Sequence, residues 1–184
     1  MPTLSIEPDP QFTILSRWYA LYVRSRYEKR THSELQQLGV ESFLPLIEEI
    51  HCWSDRKKRV EEPMFRGYVF VHSDLRNKVS ILQTEGVVRF VGIRNYPSPI
   101  PDDEINWVRI LAKSPDAVKR EEEFEPGEWV RILVGPFQGV QGFVTMVKGM
   151  AKVVVSIPSI GRAVSIQVPI EFVEKVGEEV AVLS

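Results

Sequence analysis

The chain has 184 residues, a net charge of −2, and 43% hydrophobic against 26% charged residues, the composition of an ordinary globular protein of one domain or two small ones. No apolar run approaches the roughly 18 residues of a membrane helix, and the single cysteine, Cys52, excludes an intrachain disulfide and suits a reducing cytoplasm. A charge of +1 over residues 1–113 and −3 over residues 114–184 excludes binding to nucleic acid through bulk charge, so contact with DNA or RNA must be local or assisted by a protein.

Met1–Pro10 has neither the basic start nor the apolar core of a signal peptide, and residues 1–16 read as a disordered leader. Arg17–Arg24 alternates as a strand, with Trp18, Ala20 and Tyr22 on one face and Tyr19, Leu21 and Val23 on the other. Ser25-Arg-Tyr-Glu28 fits a capping box that opens a helix running through Leu35 and Leu38 and stopping at Gly39. Phe43–Ile47 reads as a second strand, bent or at an edge because of Pro45. Ile50–Trp53 and Val60–Glu62 can pair as a hairpin around Ser54–Arg59, and Arg66–His72 is the clearest strand of this half. A short helix at Leu75–Gln83, a strand at Val87–Val91, a proline-rich connector at Pro97–Pro101 and a helix capped by Asp102 and ending near Lys113 complete it.

Ser114–Glu123 is polar and has little to bury, so it reads as a linker. From Phe124 onward the pattern is short strands and turns: Trp129–Val134, Gly142–Val147, Lys152–Ile157, Ala163–Val168 and Phe172–Val176. Residues 178–184 form a tail that frays. The segment Phe124–Val144 resembles a KOW motif, with Gly127 before one strand, the turn Gly135-Pro-Phe-Gln-Gly139, and Gly142 opening the next strand. That motif marks small SH3-like barrels in proteins of transcription and translation. The expected fold class is α+β: an N-terminal NGN-type α/β sandwich over residues 17–113 (an antiparallel sheet with flanking helices), the charged linker 114–123, and a KOW SH3-like β-barrel over residues 124–177.

Several segments, read together, resemble the NusG family of transcription elongation and antitermination factors. They are Trp18–Lys29, Glu61–Val71, Thr84–Val91, the KOW segment, Gly161-Arg162 and Val173–Val176, and the resemblance spans Arg17–Val176. Val23–Lys29 and Trp53–Lys58 are most similar to the specialised UpxY-type paralogues, which antiterminate polysaccharide operons. Two departures stand out. The family's Phe-Pro-Gly-Tyr reads Phe65-Arg-Gly-Tyr68, and Ile160 stands where an aromatic often sits, in a longer loop.

The resemblance implies a first domain that binds bacterial RNA polymerase at the β′ clamp helices and reaches the β gate loop, suppressing pausing by favouring a closed clamp. It maps the clamp-binding pocket onto Tyr22, Phe65, Tyr68 and Phe70, and the gate-loop contact onto Asn77 and Lys78. Strand alternation gives the aromatics Tyr68, Phe70 and His72 a face opposite Val69 and Val71, so the sheet presents either an exposed aromatic face or one covered by helices. Arg24, Arg26, Lys29 and Arg30 at the strand-to-helix corner, and Arg56, Lys57, Lys58 and Arg59 in the hairpin tip, suit phosphates of the non-template DNA strand. Their alternatives are a solvated loop for Arg56–Arg59 and salt bridges to Glu28 or to the β′ subunit for Arg24 and Arg26. Phe137, Val140 and Ile160 correspond to the surface that binds the ribosomal protein NusE or the terminator Rho, and loss of the aromatic at Ile160 puts both in doubt.

No cofactor or catalysis is expected. His32, His51 and His72 lack ligand spacing, Asp102-Asp-Glu104 suits a helix start, and no phosphate-binding glycine loop occurs. The chain reads as a monomer, with two other functions open: a housekeeping NusG coupling polymerase to ribosome or Rho, and a ribosome-associated KOW protein. The glycines and prolines of the second domain argue for a permanent barrel over a helical alternative.

Overall fold

A computed structural model of the chain describes residues 15–52, 57–93, 96–121, 127–147 and 150–176. The leader before Leu15, the hairpin tip 53–56, the stretch 122–126 and the tail from Gly177 lie outside the described residues. The chain divides into two compact units, one formed by residues 1–44 with 66–100, the other by residues 45–65 with 101–184.

The first unit is built on an antiparallel sheet with strand order β2-β5-β1-β6, from β1 (Arg17–Val23), β2 (Glu41–Phe43), β5 (Tyr68–Ser73) and β6 (Val87–Phe90). β1 sits between β5 and β6, pairing Tyr19 with Val71, Leu21 with Val69 and Leu21 with Phe90. Alternation therefore sends Tyr19, Leu21, Val23, Val69 and Val71 to one face. Leu35 of α1 (Glu28–Gln37) and Ile81 of α2 (Lys78–Leu82) close over that face to complete the core. Each such side chain contributes on the order of 1.5–3 kcal/mol by leaving water.

Three local expectations are corrected in this unit. Ser25 does not cap α1: Arg26 takes a left-handed backbone with φ 68°, which breaks a right-handed first turn, so the helix starts at Glu28 after Tyr27. The Glu28 carboxylate, buried, instead accepts the Gly67 N–H at 2.8 Å. Phe43–Ile47 is not one strand, because Pro45 has no N–H to extend the ladder; β2 ends at Phe43, and a new strand begins at Leu46. The expected helix Leu75–Gln83 splits into a 3-10 turn, Leu75–Asn77, whose Arg76 N–H bonds the Asp74 carboxylate at 3.0 Å, followed by α2. The helix end at Gly39, with φ 73°, is as expected. A small pair, β7 (Gly92–Ile93) with β8 (Tyr96–Pro97), precedes the proline connector.

The second unit opens with a hairpin, β3 (Leu46–Cys52) and β4 (Lys57–Pro63), in register from Leu46↔Pro63 to Cys52↔Lys57. It is longer than the sequence pattern implied. Helix α3 (Asp102–Leu111) follows Pro101, and Asp102 makes no capping bond; it lies in the first turn with Asp103 and Glu104, where the helix dipole favours acids. Inside the stretch read as a linker, Lys119–Glu121 forms strand β9. It pairs with β13, and the Ser165 hydroxyl donates to the Glu121 carboxylate at 2.6 Å. An open strand edge recruits an extended neighbour, and charged residues do not prevent it when their partners are across the ladder.

The remaining strands match the sequence pattern closely: β10 (Glu128–Ile132), β11 (Gln141–Val147), β12 (Met150–Ile157), β13 (Arg162–Pro169) and β14 (Val173–Lys175). They form an antiparallel sheet in the order β14-β10-β11-β12-β13-β9. Val153, Val155, Ile157, Val164 and Ile166 are buried on it. Gly142 is required by close approach: a side chain there would run into the Val154 carbonyl on the neighbouring strand.

Candidate functional site

Behind the core of the first unit, the other face of its sheet carries the aromatics that alternation placed there. Its rows run across the strands. Glu41, His72 and Trp18 form one row, Phe43, Phe70 and Ala20 the next, and Tyr68, Tyr22 and Arg89 the last. The first two rows are mostly covered: Trp18, Ala20 and Phe70 are buried, Phe43 and His72 half-buried, and only Glu41 is exposed. Trp18 stacks on His72 with ring centroids 5.1 Å apart, and the His72 Nδ1 lies 2.9 Å from the Glu41 carboxylate. Phe70 is fully buried, its ring 6.2 Å from that of Phe43. The last row is open. Tyr22 is 39% exposed, its ring meets Tyr68 edge-on at 5.7 Å, and the Arg89 guanidinium sits 5.4 Å above it.

This sorts the expected polymerase contacts. Tyr22 and half-buried Tyr68 are brought together at the open end. Phe70 is corrected from an exposed anchor to a core residue, because Phe43 from β2 lies beside it on the same face. Phe65 is buried at 3% exposure and is likewise corrected to core. Asn77 and Lys78 follow the far end of β5, one strand length from Tyr68, or ~17 Å at ~3.4 Å per residue. The exposed Asn77 amide lies 3.5 Å from the Ser73 hydroxyl. Arg89 was missed by sequence reasoning. Its signal was the strand Val87–Phe90, whose alternation puts Arg89 opposite Phe90 and hence on the aromatic face.

The basic residues separate as sharply. Arg30 is ion-paired to Glu34 at 3.1 Å and to Glu85. Burial and the hydrogen bond to Gly67 leave Glu28 facing inward. Arg24, Arg26 and Lys29 are exposed beside it. In the hairpin, Lys58 and Arg59 are exposed, Arg59 lying 3.4 Å from the Glu48 carboxylate. Arg56 and the Lys57 side chain lie outside the described residues.

In the second unit, Phe137, Val140 and Ile160 are all buried, at 4%, 0% and 6% exposure. The expectation that these positions present a partner surface is corrected: their side chains are buried. Ile160 lies in the 3-10 turn Pro158–Ile160, where the Ser159 N–H donates to Glu104 Oε2 at 3.3 Å. Burial pushes the Glu104 carboxyl up from its ordinary range, and the bond from Ser159 pulls it only partway back. Among the described residues, no group of three or more His, Cys, Asp or Glu gathers as a metal site. Nor is any described helix long and apolar enough to cross a membrane.

Residues 16–109 match the family model described as transcription termination factor nusG. The chain belongs to the NusG family. It is 30% identical to the transcription termination/antitermination protein NusG of Pseudomonas aeruginosa, with 87% of this chain and 98% of that one covered. The NusG of Escherichia coli O6:H1 is 31% identical over 86% of this chain and 96% of its own. Among solved structures, Thermotoga maritima NusG, solved in a study of its domain interaction, is 25% identical, with a TM-score of 0.55 and coverage of 89% and 99%. The NusG likeness thus extends through both units.

Proposed function

We propose that this NusG-family chain is a transcription antitermination and processivity factor that binds bacterial RNA polymerase through the open end of its first sheet. The observation that carries the reading is the row Tyr68–Tyr22–Arg89, in which Tyr22 and the guanidinium are exposed and Tyr68 half-buried, while Trp18 and Phe70 on the same face are buried. Tyrosine and arginine are the residues that most often anchor interfaces, since each offers apolar area with a polar tip. The target surface is the β′ clamp helices. Binding there favours the closed clamp by differential affinity and needs no chemistry from the chain. Asn77 and Lys78, one strand length away, suit contact with the β gate loop across the channel.

The likeness of Val23–Lys29 to UpxY-type paralogues favours service to particular polysaccharide operons over the housekeeping role. Burial of Phe137, Val140 and Ile160 speaks against contact with NusE or Rho through these three side chains. The test is binding of the full chain to purified core RNA polymerase, with Tyr22→Ala and Tyr68→Ala variants alongside. Wild-type binding that both substitutions weaken supports the reading; a folded double variant that binds as wild type does would end it.

A further inference from the structure

Arg89 stands in the open row of the first sheet as the cross-strand neighbour of Tyr22, its guanidinium carbon 5.4 Å from the ring centroid. Three features hold it there. The Arg24 N–H donates to the Gly86 carbonyl at 2.8 Å and pins the entry to β6. The β1–β6 ladder then carries a bulge: Tyr22 pairs with Arg89 and Val23 with Val87, so Val88 is an extra residue, and such an insertion re-aims the side chains beside it. A guanidinium over an aromatic ring is also attracted to the ring itself.

The charge nevertheless has no counterpart in this unit. The Arg89 side chain is exposed, lies 3.4 Å from the Phe90 carbonyl, and makes no ion pair with the described residues. Every described carboxylate of the unit is committed elsewhere. Glu28 accepts the Gly67 N–H, Glu34 and Glu85 pair with Arg30, Asp74 pairs with Arg76, and Glu41 lies beside His72 two rows away. A surface that docks on Tyr22 must cover Arg89 too, because the two sit on adjacent strands ~4.8 Å apart and one lies over the other. Taking a guanidinium out of water without an anion is strongly unfavourable, and attraction to a ring does not offset it. A purely apolar surface would therefore be rejected by this row. Arg89 covers one face of Tyr22 and Tyr68 meets the ring edge-on, an arrangement that disfavours a stacked nucleic-acid base.

We infer that Arg89 is the specificity-determining residue of the polymerase dock: it pairs with an aspartate or glutamate on the docked polymerase surface and turns away surfaces that offer the tyrosines apolar contact alone. The inference rests on the proposed docking through the open row. The guanidinium fork takes a carboxylate through two parallel hydrogen bonds. The apolar part of the target lies over Tyr68, two strand spacings or ~10 Å away. β6 is an edge strand of its sheet, so the carboxylate can approach from the side that no strand occupies.

The test is titration of the full chain onto core RNA polymerase free of nucleic acid, with R89M, R89K and Y22A beside wild type and a thermal melt of each to show that it is folded. Methionine keeps an unbranched apolar stem over Tyr22 and removes the charge. With a carboxylate opposite, R89M leaves that group buried and unpaired, and Kd should rise about thirtyfold or more. R89K, which restores the charge without the fork, should recover at least about tenfold of that loss. With no carboxylate opposite, R89M escapes the desolvation of the guanidinium and binds as well as wild type or better, which overturns the inference. R89K as weak as R89M overturns it too, because the charge is then not what the target reads. So does an R89M defect that appears only once DNA is added, which assigns Arg89 to phosphate. Binding weakened by Y22A but not by R89M sinks this inference and leaves the dock standing. Failure of the wild-type chain to bind polymerase, or full binding by a folded Tyr22/Tyr68 double variant, removes the dock and the inference with it.

Discussion

Tyr22 and Phe70 lie on the same face of the same sheet, one row apart, yet the first is exposed and the second fully buried. Phe70 is fully buried, so Phe70→Ala opens a cavity and should cost about 3–5 kcal/mol of folding stability. In a chain of this size that lowers the melting point by roughly 6–20 °C. Tyr22 is 39% exposed and gives the fold only its edge-on contact with Tyr68 and the stack under Arg89. Those two interactions are worth about 1–2 kcal/mol together, so Tyr22→Ala should melt only a few degrees below wild type. On polymerase the order reverses. Truncating an interface anchor costs about 2 kcal/mol or more, which is roughly a thirtyfold loss in Kd. Folded Phe70→Ala, assayed well below its melting point, should bind within a few-fold of wild type. Melting curves paired with polymerase titrations separate the two effects. Should Phe70→Ala lose binding while keeping its stability, or Tyr22→Ala unfold while binding normally, the division of this face into core and anchor is wrong.

Other substitutions test other parts of the fold. Burial holds the Glu104 pKa above 4.5, so its contribution to stability is full below pH 4.5 and is lost as pH rises through the folded-state value. Glu104→Gln, which keeps an acceptor for the Ser159 N–H, should stabilise the protein at neutral pH, with the gain vanishing in melts below pH 4.5. His32 has the opposite sign: burial lowers its pKa below 6.5, so its contribution is present above pH 6.5 and is lost as pH falls through the folded value. An NMR titration should place the His32 midpoint below that of an exposed histidine, and His32→Gln should reduce the acid loss of stability. Gly86→Ala adds a Cβ 2.5 Å from Thr31 Oγ1 at φ 88° and should destabilise by about 1–3 kcal/mol in urea unfolding; a neutral result would mean that the turn before α1 is softer than its hydrogen bonds imply.

Much of this architecture was readable because its signals are local. The strands at Trp18–Val23, Val69–Val71 and Val153–Ile157 carry the period-2 alternation of a half-buried ladder, and Gly39 and Pro45 mark a helix end and a break in pairing. What failed depended on partners distant in sequence. Ser25 and Glu28 have the spacing of a capping box, but Glu28 was claimed by the Gly67 amide, 39 residues away. Lys119–Glu121 has the composition of a linker, and only the open edge of β13 and the hydroxyl of Ser165 make it a strand. Neither fact is visible in a ten-residue window.

The same limit governs the candidate site. Alternation correctly put Tyr22, Tyr68 and Phe70 on one face, but alternation carries no information about what covers a face. Accessibility changes from one row to the next: Phe43 lies beside Phe70, whereas Arg89 lies over Tyr22 and leaves its edge in solvent. An aromatic stripe read from sequence therefore contains anchors and core in unknown proportion, and strand register is what separates them. Register also brings Arg89 into the site, since a lone arginine in Val87–Phe90 is unremarkable until its neighbour across the ladder is Tyr22. The open row then has an aromatic centre, Tyr22, and a cationic flank, Arg89. If polymerase docks through this row, as proposed, the apolar burial of Tyr22 should leave binding only weakly dependent on salt, and a steep salt response would move the docking from Tyr22 to exposed cations.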